Sequence, residues 1–83
     1  MKNRLRRIIA ESARLDVPIS TLTDGDDLYA AGLQSLTTVP LLLAVEDEFE
    51  IEIPDRLLTR QLFSSIDSLA AAVLELSNEK SEM

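Results

Sequence analysis

Apolar residues near the start of the chain recur every three or four positions, the period of one face of an α-helix. The stripe consists of Leu5, Ile8, Ile9, Ser12 and Leu15. This spacing predicts a first helix over about residues 3–15. Pro18 ends it, because the residue before a proline disfavours helical backbone angles.

Residues 17–34 are predicted to form a long connection. Connections of this length inside small domains usually serve a function. Gly25 and Gly32 are expected at turns. Four apolar residues are spaced so that they could hold the loop on a core: Ile19, Leu22, Leu28 and Leu33.

The second helix is expected to begin near Ser35 and to end near Glu50. Its predicted inner stripe is Val39, Leu42, Val45 and Phe49, with Leu36 and Leu43 on its flanks. Pro40 lacks an N–H and crowds the carbonyl four residues earlier, so we expect a kinked or 3₁₀-like first turn.

A short third helix is expected after Pro54, over about residues 55–60. Ser64 is the predicted N-cap of a fourth helix, since Asp67 follows it at capping-box spacing. The inner stripe of that helix is Ile66, Leu69, Val73 and Leu76. The prediction is one all-α domain over residues 1–83, ordered over about 3–77 and frayed over 78–83. It is a bundle of four helices, three longer and one short, with a long loop between the first two.

The composition excludes several classes of chemistry. The 83 residues contain no Cys and no His, which rules out Cys nucleophiles, Ser-His-Asp catalysis and Cys/His zinc sites. The segment Asp24-Gly25-Asp26-Asp27 has the look of a calcium loop. Its twelfth position would be Ser35 or Thr37, where an EF-hand needs Glu, so we predict a solvated turn and no metal.

No apolar run approaches the ~20 residues of a membrane span, and no apolar region follows the basic start as in a secretory signal. The lack of Cys fits a reducing compartment, and we expect a cytoplasmic protein.

Charge is distributed unevenly along the chain. The net charge is −7, yet residues 1–15 hold five basic residues against one acidic residue, and residues 16–55 hold ten acidic residues and no basic one. The acidic middle should repel nucleic acid and attract basic protein surfaces. We interpret the basic start as a solvated helix face rather than a nucleic-acid patch.

The segment Asp27-Leu28-Tyr29-Ala30-Ala31-Gly32-Leu33-Gln34-Ser35-Leu36 places a serine at a helix start after a glycine turn. Taken alone, such a serine is an N-cap. The segment resembles the attachment motif of the acyl carrier protein family, Asp-Leu-(aromatic)-x-x-Gly-x-Asp-Ser-Leu. The later segment AVEDEFEIEIPD resembles that family's passage from helix two to helix three, at matching distance. The resemblance covers nearly the whole chain.

The resemblance implies a function for Ser35. A phosphopantetheinyl transferase would move the 4′-phosphopantetheine arm of coenzyme A onto its oxygen, and the arm's thiol would hold a cargo as a thioester. The phosphate suits a helix N-terminus. The protein would be a monomeric carrier and not an enzyme. A loading ligase or acyltransferase and the downstream pathway enzymes would supply the chemistry. Tyr29, at the motif's aromatic position, is expected to pack the loop onto the core rather than to stack on a ligand.

Departures from the family pattern indicate unusual partners. Gln34 replaces the usual Asp before the serine. In fatty-acid carriers the outward positions of helix two are largely acidic, and here they include Thr37 and Pro40. Helix three is often acidic in those carriers, whereas this one has Arg56 and Arg60. The segment LLTR followed by FSSID resembles standalone aminoacyl carrier proteins, which shortened relatives of seryl-tRNA synthetase load. Polyketide, peptide and sugar-modifying carriers remain open. The expected partner surface comprises Gln34, Leu36, Thr37, Pro40, Leu43, Glu46, Asp47, Arg56 and Arg60.

Two rival interpretations keep the fold and lose the chemistry. One is an unmodified acidic helical interaction domain. The other is a degenerate carrier in which Gln34 has abolished modification.

Overall fold

A computed structural model of the chain describes the backbone of residues 1–81 and the side chains of residues 1–78. Its three α-helices are α1 (Lys2–Ser12), α2 (Thr38–Phe49) and α3 (Ile66–Ser81). Short 3₁₀ turns at Ile19–Thr21, Ser35–Thr37, Asp55–Leu57 and Arg60–Phe63 join them. The described residues include no strand, and the predicted all-α bundle is confirmed.

Helix α1 buries the predicted stripe through Leu5, Ile8 and Ile9, which pack in the common core with α2 and α3. The helix ends at Ser12, three residues before the predicted end at Leu15. Ala13 is already extended, with φ −118° and ψ 133°, while its N–H still donates to the carbonyl of Ile9. Ala13 is buried, so the chain turns away from the helix while remaining on the core.

The register of α2 differs from the prediction. Leu41 and Val45 are fully buried, whereas Val39, which the sequence placed inside, is 60% exposed. The predicted inner position of Val39 is therefore wrong. Apolar residues surround most of this helix, so its sequence permits more than one inner stripe. The packing partners α1 and α3 select the stripe that contains Leu41.

The start of α2 has the predicted irregularity. Ser35–Thr37 is a 3₁₀ turn, and the α-helix proper begins at Thr38. Pro40 is consequently its third residue. The first N–H groups of a helix have no acceptor within it, so the missing N–H of the proline is tolerated there.

The predicted short third helix over 55–60 is wrong in detail. Two 3₁₀ turns, Asp55–Leu57 and Arg60–Phe63, replace it. Between them Thr59 is extended, with φ −118° and ψ 165°. Such turns are short because their hydrogen-bond geometry is poorer than that of the α-helix. The second turn is held by Leu62 and Phe63, both of which are buried.

Helix α3 buries the full predicted stripe of Ile66, Leu69, Val73 and Leu76. Its cap is one residue later than expected, because the N–H of Ser68 donates to Oγ of Ser65 at 3.1 Å. The hydroxyl of Ser64, the predicted cap, donates instead to the carbonyl of Gln61. Helix α3 runs through Ser81 into the predicted frayed segment 78–83, of which residues 82–83 lie outside the described part.

The long loop is held on the core as predicted. Leu28 and Leu33 are buried, and Ile19 and Leu22 are partly buried against the same cluster. Gly25 lies in a turn. Gly32 has φ +111°, and a Cβ there would come within 2.7 Å of Asp16.

The basic face of α1 is more than a solvated surface. Arg6 donates hydrogen bonds to the carbonyls of Ile19 and Leu22, both at 2.9 Å, and to the carboxylate of Asp24 at 2.8 Å. It thereby ties the start of the long loop to α1. Lys2 pairs with Asp67 at 2.8 Å and Arg4 with Glu48 at 2.6 Å, which link α1 to α3 and α2. These basic groups are matched within the protein, which argues against a nucleic-acid patch.

Candidate functional site

Ser35 lies on the surface, directly after a loop that is anchored to the core. It is the first residue of its 3₁₀ turn and is exposed. On the N-terminal side, the N–H of Leu28 donates to the carbonyl of Ser64 at 2.8 Å, and the N–H of Leu33 donates to the carbonyl of Leu28 at 3.0 Å. These bonds and the burial of both leucines fix the loop two residues before Ser35.

The hydroxyl of Ser35 is available for chemistry. It makes no cap hydrogen bond, and no other partner for it occurs among the described residues. The neighbouring hydroxyls of Thr37 and Thr38 donate to the carbonyls of Gln34 and Ser35, both at 2.7 Å. The expectation that Ser35 serves as a cap is therefore not met, and its side chain has no structural task in this part of the fold.

The backbone around Ser35 suits a phosphate. Within the described chain, the N–H groups of Ser35 and Leu36 have no acceptor. Free N–H groups at the start of a helical segment favour anions. An exposed hydroxyl beside them fits a covalently attached phosphodiester.

A shallow groove of about 300 Å³ lies beside Ser35. It runs between the start of α2 and the 3₁₀ turn Arg60–Phe63. Its walls are formed by Tyr29, Ser35, Thr38, Val39, Leu42, Leu58, Thr59, Arg60 and Phe63.

Tyr29 and Arg60 form one wall of the groove together. The guanidinium of Arg60 lies 3.9 Å from the centre of the Tyr29 ring, and the Tyr29 hydroxyl donates to the carbonyl of Arg60 at 3.0 Å. Tyr29 also packs against the core cluster as predicted. This pairing links positions 31 residues apart, and nothing in the sequence pattern indicated it.

An apolar stripe faces solvent along the 3₁₀ turn Ser35–Thr37 and the first half of α2, and we call this surface the front of α2. Leu36 is 85% exposed, Val39 60% and Leu43 59%. Gln34 and Pro40 are exposed beside it, and Thr37 is half-buried. Val39 is the functional candidate that our sequence analysis missed. Its spacing of three from Leu36 and four from Leu43 was the available signal.

The acidic end of α2 has two kinds of carboxylate. Glu46 accepts a hydrogen bond from the N–H of Ile53 at 2.8 Å, and Glu48 pairs with Arg4 at 2.6 Å. Asp47 between them is exposed and has no partner among the described residues. Of these three acids, Asp47 is the one with a carboxylate free for a partner protein.

The two arginines of the predicted partner surface lie at different grooves. Arg60 borders the groove beside Ser35, whereas Arg56 borders a second groove against α3, where its Nη1 lies 3.9 Å from Glu75. The structure therefore does not bring Arg56 and Ser35 into one site.

The carboxylates of Asp24, Asp26 and Asp27 in the long loop accept hydrogen bonds from within the protein. Asp26 accepts from the N–H of Thr23 at 2.8 Å, and Asp27 accepts from the N–H of Tyr29 at 2.9 Å. The hydrogen bond from Arg6 holds the pKa of the Asp24 carboxyl below its usual value.

Across residues 1–81, no helix is long and apolar enough to pass through a bilayer.

Comparisons with known proteins identify the family of the chain. The family model described as "Phosphopantetheine attachment site" matches residues 3–73. The chain is 44% identical over 73 residues to a protein of Agrobacterium fabrum named aminoacyl carrier protein, and the match covers 88% of each chain.

Solved structures show the same fold. One match is a chain from the crystal structure of an engineered Bradyrhizobium japonicum glycine:[carrier protein] ligase complexed with a carrier protein from Agrobacterium tumefaciens and AMP. It has a TM-score of 0.86 at 43% identity and covers 89% of this chain and 99% of that one. A solution structure from Agrobacterium tumefaciens matches the full length of both chains with a TM-score of 0.78 and 40% identity. The family model spans every helix that builds the site, and the chain therefore belongs to the acyl carrier protein family of phosphopantetheine carriers.

Proposed function

We propose that Ser35 is the attachment residue and that the chain carries an aminoacyl group as a thioester. The observation that carries this proposal is the exposed Ser35 hydroxyl, which has no partner among the described residues and follows the family motif. The name of the Agrobacterium fabrum relative and the ligase in the matched crystal structure support the aminoacyl cargo.

The attachment step needs only an oxygen nucleophile from this chain. Oγ of Ser35 forms a bond to the phosphorus that carries the pantetheine of coenzyme A. The phosphoanhydride bond breaks, adenosine 3′,5′-bisphosphate leaves, and the hydroxyl proton passes to the transferase. The attached group supplies a terminal thiol for the thioester. We propose that partner enzymes act on that thioester and that this chain is a carrier and not itself an enzyme.

The loading partner in this proposal is an amino acid ligase that docks on the front of α2. Leu36, Val39 and Leu43 supply apolar contact, and exposed aliphatic side chains in one stripe mark interaction surfaces. Asp47 supplies a free negative charge beside them. Charge of this kind raises the rate of encounter with a basic partner, whereas the apolar contacts lengthen the life of the complex.

Intact-mass measurement after incubation with coenzyme A and a phosphopantetheinyl transferase tests the attachment. We expect a gain of one phosphopantetheine in the parent protein and none in Ser35→Ala. Ser20→Ala is the matched control, because Ser20 is an exposed serine in another 3₁₀ turn and should not affect the gain. Ser35→Ala should change stability by less than about 0.5 kcal/mol, since the side chain makes no cap bond. A gain that persists in Ser35→Ala would refute the assignment.

The same measurement separates the two rivals. If the parent protein gains no mass and Gln34→Asp does, the chain is a degenerate carrier. If neither variant gains mass, the interaction-domain interpretation holds. Gln34 is exposed, so this substitution alters recognition and leaves the core intact.

Aminoacylation is tested by adding a glycine:[carrier protein] ligase, ATP and single amino acids to the modified protein. A second gain, equal to one aminoacyl group and released by hydroxylamine, is expected. The absence of a second gain with every amino acid would leave a carrier of another acyl class.

The docking surface is tested by two adjacent charge deletions. Asp47→Asn should slow loading, with an effect that shrinks as salt rises because exposed charges are screened. Glu46→Ala should instead destabilise the protein by about 1–3 kcal/mol, because it leaves the nearly buried N–H of Ile53 without its acceptor. If Asp47→Asn loads at the parent rate at low salt, recognition does not use this end of α2.

The remaining partners and properties are still predictions. They are the downstream pathway enzymes, the monomeric state and the cytoplasmic location.

A further inference from the structure

We propose that Arg60, held against the ring of Tyr29, binds the phosphodiester on Ser35 and holds the arm in the adjacent groove between loading events. This inference rests on the proposed attachment at Ser35. It makes Arg60 a positioning residue for the arm.

Charge complementarity identifies the occupant. Ser35 and Arg60 border the same groove of about 300 Å³, and among its described lining residues Arg60 alone is charged. Within the described chain Arg60 forms no ion pair. A phosphodiester attached to Ser35 would bring a permanent negative charge into this small space, beside an unmatched cation.

The pose of Arg60 leaves its donors available. One face of its guanidinium stacks on Tyr29 at 3.9 Å. The N–H groups of a guanidinium lie in its plane and point outward from its edges, so stacking on one face does not consume them. They are suited to a two-point hydrogen bond with phosphate oxygens. The bond from the Tyr29 hydroxyl to the Arg60 backbone fixes both partners.

The rest of the groove matches the rest of the arm. Pantetheine has a geminal dimethyl group next to the phosphate and two amides farther along. Apolar walls come from Val39, Leu42, Leu58 and Phe63, and hydroxyls come from Thr38 and Thr59. A volume of about 300 Å³ is at the small end of ligand sites. The arm would therefore lie in an open groove, from which a docking enzyme can displace it.

The test compares amide and arginine Nε spectra of the ¹⁵N-labelled protein before and after modification, with mass confirming the attached group. We expect signals of Leu58, Phe63 and the Arg60 side chain to shift on modification. These shifts should shrink in high salt. In Arg60→Gln the ratio of seated to free arm should fall about 1.5- to 5-fold, the range expected for an exposed ion pair. Arg56→Gln is the matched control, because Arg56 borders the other groove and should leave the shifts unchanged.

The outcomes are separable. The absence of a mass gain would contradict the attachment itself. A mass gain with shifts confined to Ser35 and its chain neighbours would overturn only the binding of the arm in the groove. Shifts of parent size in Arg60→Gln also overturn it. If Arg60→Gln disturbs Tyr29 before modification, Arg60→Lys decides, since it keeps the charge. Salt-dependent shifts in that variant would support binding of the arm in the groove, and their absence would refute it.

Discussion

Two leucines in the same helix, two positions apart, should have opposite tasks. Leu41 is fully buried, and Leu43 is 59% exposed. Truncation of each to Ala removes the same atoms, so the pair is a matched comparison of core packing with surface contact. We expect Leu41→Ala to lose stability with no direct effect on docking, and Leu43→Ala to weaken docking with little loss of stability.

The magnitudes follow from the burial. A buried Leu→Ala change costs about 2–5 kcal/mol, whereas an exposed one stays within about 0.5 kcal/mol. A domain of 83 residues has roughly 4–12 kcal/mol of total stability at typical values per residue. Leu41→Ala therefore removes a large share of it. Since 1 kcal/mol lowers the Tm of such a domain by about 4–8 °C, the thermal shift should be easy to measure.

Urea unfolding followed by circular dichroism gives the stability change, and the rate of ligase loading at subsaturating carrier gives the docking change. Loading is compared only under conditions in which both variants are folded. If Leu43→Ala loses more than about 2 kcal/mol, the exposed stripe is part of the core and the docking argument fails. If Leu43→Ala is stable and loads at the parent rate, the stripe is not the ligase contact.

Two further perturbations test the loop that leads to Ser35. Gly32→Ala should lower the free energy of unfolding in urea by about 1–3 kcal/mol, because φ is +111° and the new Cβ would lie 2.7 Å from Asp16. Gly25→Ala is the control and should have a mild effect on stability, because its new Cβ would lie 3.7 Å from its nearest contact. Equal losses of stability in the two variants would refute the argument. The pKa of Asp24 is lowered in the folded protein chiefly by the hydrogen bond from Arg6, so its stabilisation is present above its usual pKa of 3.8 and is lost as pH falls through the lower folded value. Urea midpoints measured across the acid range should therefore fall less steeply in Asp24→Asn, and an unchanged slope would contradict this reading.

The sequence was sufficient to identify the buried face of a helix where one apolar stripe stood out against polar neighbours. The stripes of α1 and α3 were identified correctly at Leu5 and Val73, because charged or small residues separate the inner positions from the rest. In α2 the same method failed at Val39. Three consecutive leucines from Leu41 to Leu43 allow several stripes, and the choice depends on how α1 and α3 approach, which local spacing does not specify.

The functional site was predictable to a similar degree. The motif located Ser35 at a helix start, and the proline indicated the 3₁₀ turn that presents it. The free state of its hydroxyl could not be predicted, because capping depends on the direction of one side chain. The contact of Tyr29 with Arg60 was also beyond the sequence, since it arises only when the turn after Thr59 folds back on the loop.

The positions of the charges explain how the departures from the family pattern could work together. The residue before the serine is usually Asp in the acyl carrier protein family, and here Gln34 is neutral. Arg60 adds a positive charge at the same groove. Both changes make the potential near Ser35 more positive than in a carrier with acids at these positions, which favours a bound phosphodiester. A partner that binds the front of α2 must then rely on apolar contact with Leu36 and its neighbours. Electrostatic attraction comes instead from the negative charge of Asp47, near the C-terminal end of α2. A loading enzyme matched to this carrier should accordingly place its basic residues opposite the end of α2 and an apolar surface opposite Leu36.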